Sequence, residues 1–228
     1  MPRLARLIVC LFIIALMPVA ARADEGWYPI KADDGTTIAN HRVPVEIESQ
    51  IEKLPGVVVL GNPHGDVTLN EFYDLNCPYC RKASSEIEKL LHTVKELRLV
   101  LVPFPVLGIP SIQAGKVELA VLRMTPPKKF YEFYRKAMAS RGVMDGNRAM
   151  AIAKAIGLDA KKVEKAANDE ALGDIMIAHV RLGNALGIQA TPGFVIKGVA
   201  INGYPGPKSL AHIVDSVERC DNVVCGGK

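Results

Sequence analysis

Two cysteines separated by two residues are the strongest chemical signal in this sequence. The motif Cys77-Pro78-Tyr79-Cys80 follows an apolar stretch typical of a strand and opens a stretch with helical spacing. A thiol in the first turn of a helix faces unpaired backbone N–H groups and the positive end of the helix dipole, and both stabilise its thiolate. Because the thiolate is the species that attacks a disulfide, we predict that Cys77 is an exposed nucleophile. Cys80, one turn into the helix, is predicted to be the shielded resolving thiol.

The same pair is compatible with two other uses, an inert local disulfide and half of a metal site. A tetrahedral zinc site needs two further ligands. The obvious candidates, Cys220 and Cys225, lie at the other end of the chain. We therefore expect thiol–disulfide exchange, and no metal, at Cys77 and Cys80.

A second cysteine pair, Cys220 and Cys225, encloses only four residues. We predict a local structural disulfide here, and closing so short a loop is worth only about 2 kcal/mol on the chain-entropy estimate. A second redox relay and two free thiols are the alternatives.

The first 23 residues have the three parts of a secretory signal peptide. Arg3 and Arg6 give a basic start, residues 7–17 are apolar, and small residues precede a cleavage point at about Ala23. The apolar run is too short to span a bilayer as a stable helix. We predict that the peptide is removed and that the protein is periplasmic, where disulfides are the default for paired cysteines.

The remaining 205 residues are enough for one complete hydrophobic core. They contain 25 Lys and Arg residues against 24 Asp and Glu residues, a net charge of +1. A charge so close to neutral gives no reason to expect a nucleic-acid partner. We divide this part of the chain into a lead-in segment, 24–55, and a larger domain, 56–228.

Hydrophobic spacing predicts a strand–helix–strand unit around the cysteine motif. The predicted elements are a strand at 67–73, a helix at 77–92 and a nearly continuous apolar strand at 97–102. The connection is long enough for a right-handed crossover between parallel strands. A further strand is predicted at 57–60, and a short helical pattern occupies 45–54 in the lead-in segment.

The region 110–187 contains no convincing strand pattern and is predicted to form five helices divided by Pro, Gly or Asp. These helices are predicted at 113–124, 128–140, 147–156, 161–168 and 172–186. A hairpin is predicted at 194–201, and a last helix at 209–220 with Ser209 as its N-cap. The predicted architecture is an α/β domain with a helical insertion at about 110–187.

The residues from Glu71 to Cys80, Glu-Phe-Tyr-Asp-Leu-Asn-Cys-Pro-Tyr-Cys, resemble the DsbA-like thiol:disulfide oxidoreductase family of the thioredoxin superfamily. A helical insertion and a Thr191-Pro192 pair follow in the order typical of that family. The resemblance covers roughly residues 56–220 and implies an α/β thioredoxin fold with a helical insertion.

The resemblance also implies roles for three further residues. Pro192 matches the cis-proline that lies against the cysteine motif and presents backbone to an extended substrate, and Thr191 matches the variable residue before it. Glu71, six residues before Cys77, matches a buried acid that assists proton transfer at the second cysteine. A cis peptide costs least before proline, and burial under a sheet would raise the pKa of a carboxyl. A trans loop proline and a surface carboxylate are the alternatives.

The predicted substrate-binding residues are Pro78, Tyr79, Thr191 and Pro192. Tyr79 stands where the best-known members of the family have a histidine, so it cannot offer a cationic imidazole to the Cys77 thiolate. The direction of electron flow therefore stays open between disulfide formation and isomerisation or reduction.

We predict a thiol–disulfide oxidoreductase without a cofactor that acts on exported polypeptides containing cysteines, with disulfide formation as the favoured reaction. The implied partner is a membrane quinone-linked oxidase, or a membrane electron donor if the protein is an isomerase or reductase. A non-catalytic chaperone or metallochaperone that uses the fold as a binding module is the alternative from another class.

Overall fold

The computed structural model describes residues 28–226, so the predicted signal peptide and its cleavage point at about Ala23 lie outside the described residues. The strands are β1 Asn40–Arg42, β2 Val58–Gly61, β3 Val67–Tyr73, β4 Leu97–Pro103, β5 Gly193–Ile196 and β6 Val199–Asn202. They form one mixed sheet in the order β1-β6-β5-β3-β4-β2. β3 lies in the interior of this sheet, parallel to β4 and antiparallel to β5.

The helices cover both faces of the sheet. They are α1 Val45–Glu48, α2 Pro78–Thr93, α3 Ile109–Met124, α4 Pro127–Ala139, α5 Gly146–Ala155, α6 Ala160–Ala167, α7 Ala171–Ala185 and α8 Pro207–Cys220. The predicted crossover from β3 through α2 to the parallel strand β4 is confirmed. The five helices predicted between 110 and 187 correspond to α3 through α7. No helix within residues 28–226 has the length and hydropathy needed to cross a membrane.

Alternate residues of β3 enter two separate apolar clusters, as the two-residue period of a strand requires. Leu69 and Tyr73 join a large cluster formed with α2, α3, α4 and α8. Phe72 points to the other face, where it meets Phe104 edge-on at 5.8 Å and packs in a cluster with Leu182 of α7. β3 is therefore buried on both sides, and the residues after its end are held on a rigid support.

The lead-in segment contributes more to the sheet than its sequence indicated. β1 was not predicted, because Asn-His-Arg has neither β-branched residues nor an apolar alternation. It pairs antiparallel with β6 at the sheet edge, and Asn40 is anchored by hydrogen bonds to the backbone of Tyr28 and Ile38. The helical pattern predicted at 45–54 forms α1 and then a short 3-10 helix, Ile51–Lys53.

The predicted cap of the last helix is wrong. α8 begins two residues earlier than expected, with Gly206 at the N-cap position and Pro207 in the first turn. The Asp33 carboxylate accepts the backbone N–H groups of Lys208 at 3.1 Å and Ser209 at 2.7 Å. A residue of the lead-in segment therefore supplies the capping interaction that the sequence assigned to Ser209.

Candidate active site

The cysteine motif lies where β3 ends and α2 begins. Cys77 is the N-cap residue of α2, and its Sγ accepts the backbone N–H of Cys80 at 3.3 Å. Pro78 occupies the first helical position, where no N–H is required. The sulfur of Cys77 therefore takes the place that a Ser or Asp oxygen takes at an ordinary helix N-terminus.

Hydrogen bonds to this sulfur lower the pKa of Cys77 to about 6. The largest contribution is the thiol of Cys80, followed by the Thr191 side chain and the backbone N–H groups of Cys80 and Tyr79, while burial acts in the opposite direction. A thiol with this pKa is largely a thiolate at neutral pH, which is the form that attacks a disulfide and leaves readily from one.

Cys80 has the opposite character. Its side chain is fully buried, and burial is the main reason that its pKa is raised. The hydrogen bond to Cys77 and the charges of Glu71 and Cys77 raise it further. The two thiols of one motif therefore differ strongly in acidity, as an attacking and a resolving cysteine would.

The prediction that Cys77 is an exposed residue is wrong, because only 3% of its surface is accessible. The loop before β5 contributes to this burial, since the carbonyl oxygen of Thr191 lies 3.0 Å from Cys77 Sγ. Cys80 is still less accessible, at 0%. The two cysteines thus differ little in exposure. They differ in the effect of the hydrogen bond between them, which lowers the pKa of Cys77 and raises that of Cys80.

The structure brings the four predicted substrate-binding residues to one place. The peptide bond between Thr191 and Pro192 is cis, and this loop contacts Cys77 through the Thr191 carbonyl. Pro78 and Tyr79 are exposed beside it, with 57% of Tyr79 accessible. The Nζ atom of Lys82 lies 5.2 Å from the centre of the Tyr79 ring. Their role in binding substrate stays a prediction.

Glu71 lies in the middle of β3, fully buried between Leu101 of β4 and Phe194 of β5. Its Oε2 accepts a hydrogen bond from the hydroxyl of Tyr134 in α4, with an O–O distance of 3.3 Å. Burial raises the pKa of Glu71 to about 8, and the nearby charge of Cys77 adds to the rise. Glu71 is therefore not the surface carboxylate that was the alternative, and its pKa suits proton transfer near neutral pH.

Two polar residues that the sequence analysis did not single out hold the loop in front of Cys77. The buried Asp74 carboxylate accepts four hydrogen bonds, from the backbone of Asn76, Val106 and Leu107 and from the hydroxyl of Ser111, at 2.7–3.0 Å. This carboxylate ties the end of β3 to the loop that follows β4. The available signal in the sequence was the presence of a carboxylate, Asp74, and an amide, Asn76, among apolar residues at the end of the strand.

Asn76, directly before the nucleophile, makes the second attachment. Its Nδ2 donates to Ser111 Oγ at 3.0 Å and to the carbonyl of Met144 at 2.8 Å, and its Oδ1 accepts the N–H of Met144 at 2.7 Å. Met144 lies between α4 and α5, so the helical insertion is fastened directly to the residue before Cys77.

A disulfide joins Cys220, the last residue of α8, to Cys225. Cys220 lines a cleft with Asp66 and Val67 at the start of β3, whereas Cys77 follows its end. A strand of this length spans about 20 Å, so the disulfide is far from the cysteine motif. Within the part of the chain that the structure describes, no group of three or more His, Cys, Asp or Glu residues could hold a metal ion.

Comparisons with known proteins agree with this geometry. The family model described as Thioredoxin matches residues 53–216. A thioredoxin-like oxidoreductase from Silicibacter pomeroyi DSS-3 is 31% identical, with a TM-score of 0.68, and the match covers 76% of this chain and 96% of that one. No curated protein matched the sequence.

Two more distant structures share the fold. The thiol-disulfide exchange protein alpha-DsbA2 from Wolbachia pipientis is 24% identical, with a TM-score of 0.68, over 75% of this chain and 92% of that one. A periplasmic thioredoxin-like protein from Salmonella enterica serovar Typhimurium is 22% identical, with a TM-score of 0.67, over 77% and 97% of the two chains. The predicted α/β thioredoxin fold with a helical insertion is confirmed.

Proposed function

The chain belongs to the thioredoxin family, as its resemblance to DsbA-like proteins predicted, and is a thiol–disulfide oxidoreductase; from this premise we propose that it forms disulfides in exported polypeptides. The observation that carries the proposal is the contrast within one motif, a Cys77 thiol with a pKa of about 6 beside a buried Cys80 thiol with a raised pKa. Stabilising the thiolate stabilises the reduced enzyme, which makes its disulfide more oxidising.

The proposed cycle begins when a substrate thiolate attacks Cys77 Sγ in the oxidised enzyme. The bond between Cys77 and Cys80 breaks, and its electron pair leaves on the Cys80 sulfur, which takes up a proton. A second substrate thiolate then attacks the substrate sulfur of the mixed disulfide, so that the substrate disulfide forms and Cys77 leaves as a thiolate. Two electrons have passed to the enzyme, and a membrane quinone-linked oxidase is the proposed acceptor that removes them.

The periplasm is the proposed compartment, with the signal peptide removed after about Ala23. The basic, apolar and small-residue regions of the first 23 residues support this location, as does the similarity to a periplasmic protein of the same fold. Mass spectrometry of the protein from a periplasmic fraction is expected to give a chain that begins near Asp24. An intact Met1 terminus would contradict this part of the proposal.

Catalysis on two forms of ribonuclease A tests the direction. Oxidised protein is expected to consume the thiols of the reduced, unfolded form faster than reduced protein reactivates a form with scrambled disulfides. Cys77→Ser should abolish both activities, and Cys220→Ser/Cys225→Ser is the matched control that keeps them. Efficient reactivation of the scrambled form without thiol consumption would overturn the proposal in favour of an isomerase supplied by a membrane electron donor.

A further inference from the structure

Two buried side chains on one face of β3 form hydrogen bonds with two buried side chains of the helical insertion. Glu71 and Tyr73, two residues apart, point to the same face of the sheet. Tyr134 of α4 donates to Glu71 at 3.3 Å, and Tyr73 donates to Glu118 of α3 at 2.7 Å. The rings of Tyr73 and Tyr134 meet edge-on at 5.0 Å. Each carboxyl group thus accepts a hydrogen bond from one phenol, and all four side chains are buried.

The two oxygens of Glu71 have different surroundings. Oε2 accepts the Tyr134 hydroxyl, whereas Oε1 is buried and has no hydrogen-bond partner within residues 28–226. A buried carboxyl oxygen without a partner is costly. It is also free to take or give a proton, which an oxygen already occupied by a donor does less readily.

Within residues 28–226, the titratable groups that interact with Glu71 come from the start of α2, from α4 and from β3 itself. They are Cys77, Cys80, Tyr131, Tyr134 and Tyr73. The neighbours of Glu71 on the adjacent strands, Leu101 and Phe194, are apolar. Among these groups, the two cysteines take part in the proposed exchange reaction and Tyr134 bonds the carboxyl directly.

We propose that Tyr134 is a positioning residue for Glu71, and that by holding Oε2 it leaves Oε1 free to exchange the proton of Cys80. This inference rests on the proposed function and extends it, because it assigns the helical insertion a part in the proton transfer. Tyr134 acts through Glu71 and does not touch the reacting sulfur atoms.

The step concerned is the formation of the disulfide between Cys77 and Cys80 from a mixed disulfide at Cys77. The Cys80 thiol gives its proton to Glu71 Oε1, and the Cys80 thiolate attacks Cys77 Sγ. The bond between Cys77 and Cys80 forms, the bond from Cys77 to the bound sulfur breaks, and the electron pair leaves with that sulfur as a thiolate. In the direction of substrate oxidation the same proton returns from Glu71 to Cys80.

The two phenols supply a matched pair of variants. Tyr134→Phe and Tyr73→Phe each remove one buried hydroxyl that bonds a buried acid, but only Tyr134 bonds Glu71. The Tyr134 hydrogen bond lowers the pKa of Glu71 against the larger effect of burial. Its loss should therefore raise the pH at which Glu71 begins to accept the Cys80 proton.

The test uses 5,5′-dithiobis-(2-nitrobenzoate), which reacts with reduced Cys77 and releases one thionitrobenzoate, after which Cys80 releases a second. The rate of the second release is measured against pH. We expect Tyr134→Phe to move the midpoint up by about 0.5–1 pH unit, the size of one ordinary hydrogen bond. Tyr73→Phe should leave the midpoint in place, and Glu71→Gln should remove it.

An unchanged midpoint in Tyr134→Phe, or equal shifts in both tyrosine variants, would overturn the inference. So would a Glu71→Gln variant with the wild-type midpoint, and in each case the exchange activity itself would stand. Absence of any second release from the wild-type protein would instead count against the proposed function. If Tyr134→Phe does not fold, 3-fluorotyrosine placed at position 134 keeps the ring and is a stronger donor, so it should move the midpoint down; an unmoved midpoint overturns the inference.

Discussion

Cys77 is the proposed nucleophile, and its acidity can be measured directly. Because its pKa is lowered to about 6, the rate of alkylation by iodoacetamide in the reduced protein should rise through that pH. The rate should reach its plateau at a pH below about 8.5, the pKa of a free cysteine. Mass spectrometry should locate the label on Cys77 and leave Cys80 unmodified. A rate that still rises through pH 8.5, or a label mainly on Cys80, would contradict this assignment.

Glu71 makes the stability of the reduced protein depend on pH. Its pKa is raised to about 8 in the folded protein, from an ordinary value of 4.5, so the folded state binds more protons between these pH values. The stabilisation from this proton is present below pH 4.5 and is lost as the pH rises towards 8, by at most about 1.4 kcal/mol per pH unit.

Glu71→Gln removes this dependence, so the variant should gain stability relative to the wild type as the pH rises. Urea unfolding of both reduced proteins at pH 5 and pH 8 measures the difference. Glu118, whose pKa is also raised to about 8 by burial, is present in both proteins and cancels in the comparison. A stability difference that is the same at the two pH values would show that Glu71 does not titrate in this range.

The sequence motif predicted Cys77 and Cys80 as the reacting pair, and the family resemblance predicted roles for Glu71 and Pro192; these roles stay predictions. Where these residues lie relative to the end of a strand and the start of a helix depends on the local sequence, so a sequence motif can predict it. Tyr134 was not found, because it is 63 residues from its partner Glu71, and nothing in the sequence of an amphipathic helix marks one tyrosine as a hydrogen-bond donor to a distant strand. The burial of Cys77 was not predicted for the same reason, because a loop distant in sequence contributes to it.

At the scale of the elements, the loop between β3 and α2 depends on Asp74. Replacing this carboxylate with alanine removes four hydrogen bonds, two of which hold the loop that follows β4. We expect Asp74→Ala to lower the free energy of unfolding by about 2–3 kcal/mol, and to slow thiol exchange because Cys77 is less firmly placed.

Asp34→Ala is the matched control for this variant. Asp34 is exposed and accepts hydrogen bonds from Thr36, two residues away, so its loss should cost less than about 1 kcal/mol. Denaturant unfolding followed by circular dichroism gives both values. Equal stabilities for the two variants would mean that the Asp74 network does not hold the active-site loop.

The elements with strong apolar periodicity were predicted well. β3 has the predicted bounds, and α2, β4 and the helices of the insertion differ from prediction by a few residues at their ends. The failures are β1 and the cap of α8, and both depend on contacts between the lead-in segment and the last third of the chain. A three-residue polar strand is a strand only because β6 lies beside it, so local propensity could not predict it.

At the scale of the whole molecule, the disulfide between Cys220 and Cys225 lies at the opposite end of β3 from the cysteine motif. We expect Cys220→Ser/Cys225→Ser to lose about 2 kcal/mol of stability, because the closed loop is short, and to keep nearly all exchange activity. Unfolding in urea and turnover on a reduced protein measure the two effects. A folded double variant without turnover would make this pair a redox relay.

One single-turnover measurement tests the central claim, that Cys77 and Cys80 exchange their disulfide with a polypeptide. Oxidised protein is mixed with an equal amount of a reduced peptide containing two cysteines, without any other oxidant, and all free thiols are then labelled and counted by mass. For each peptide disulfide that forms, we predict one new thiol at Cys77 and one at Cys80, with Cys220 and Cys225 unlabelled, and no reaction in Cys77→Ser. Peptide thiols that persist, or that disappear without new thiols at Cys77 and Cys80, would contradict it.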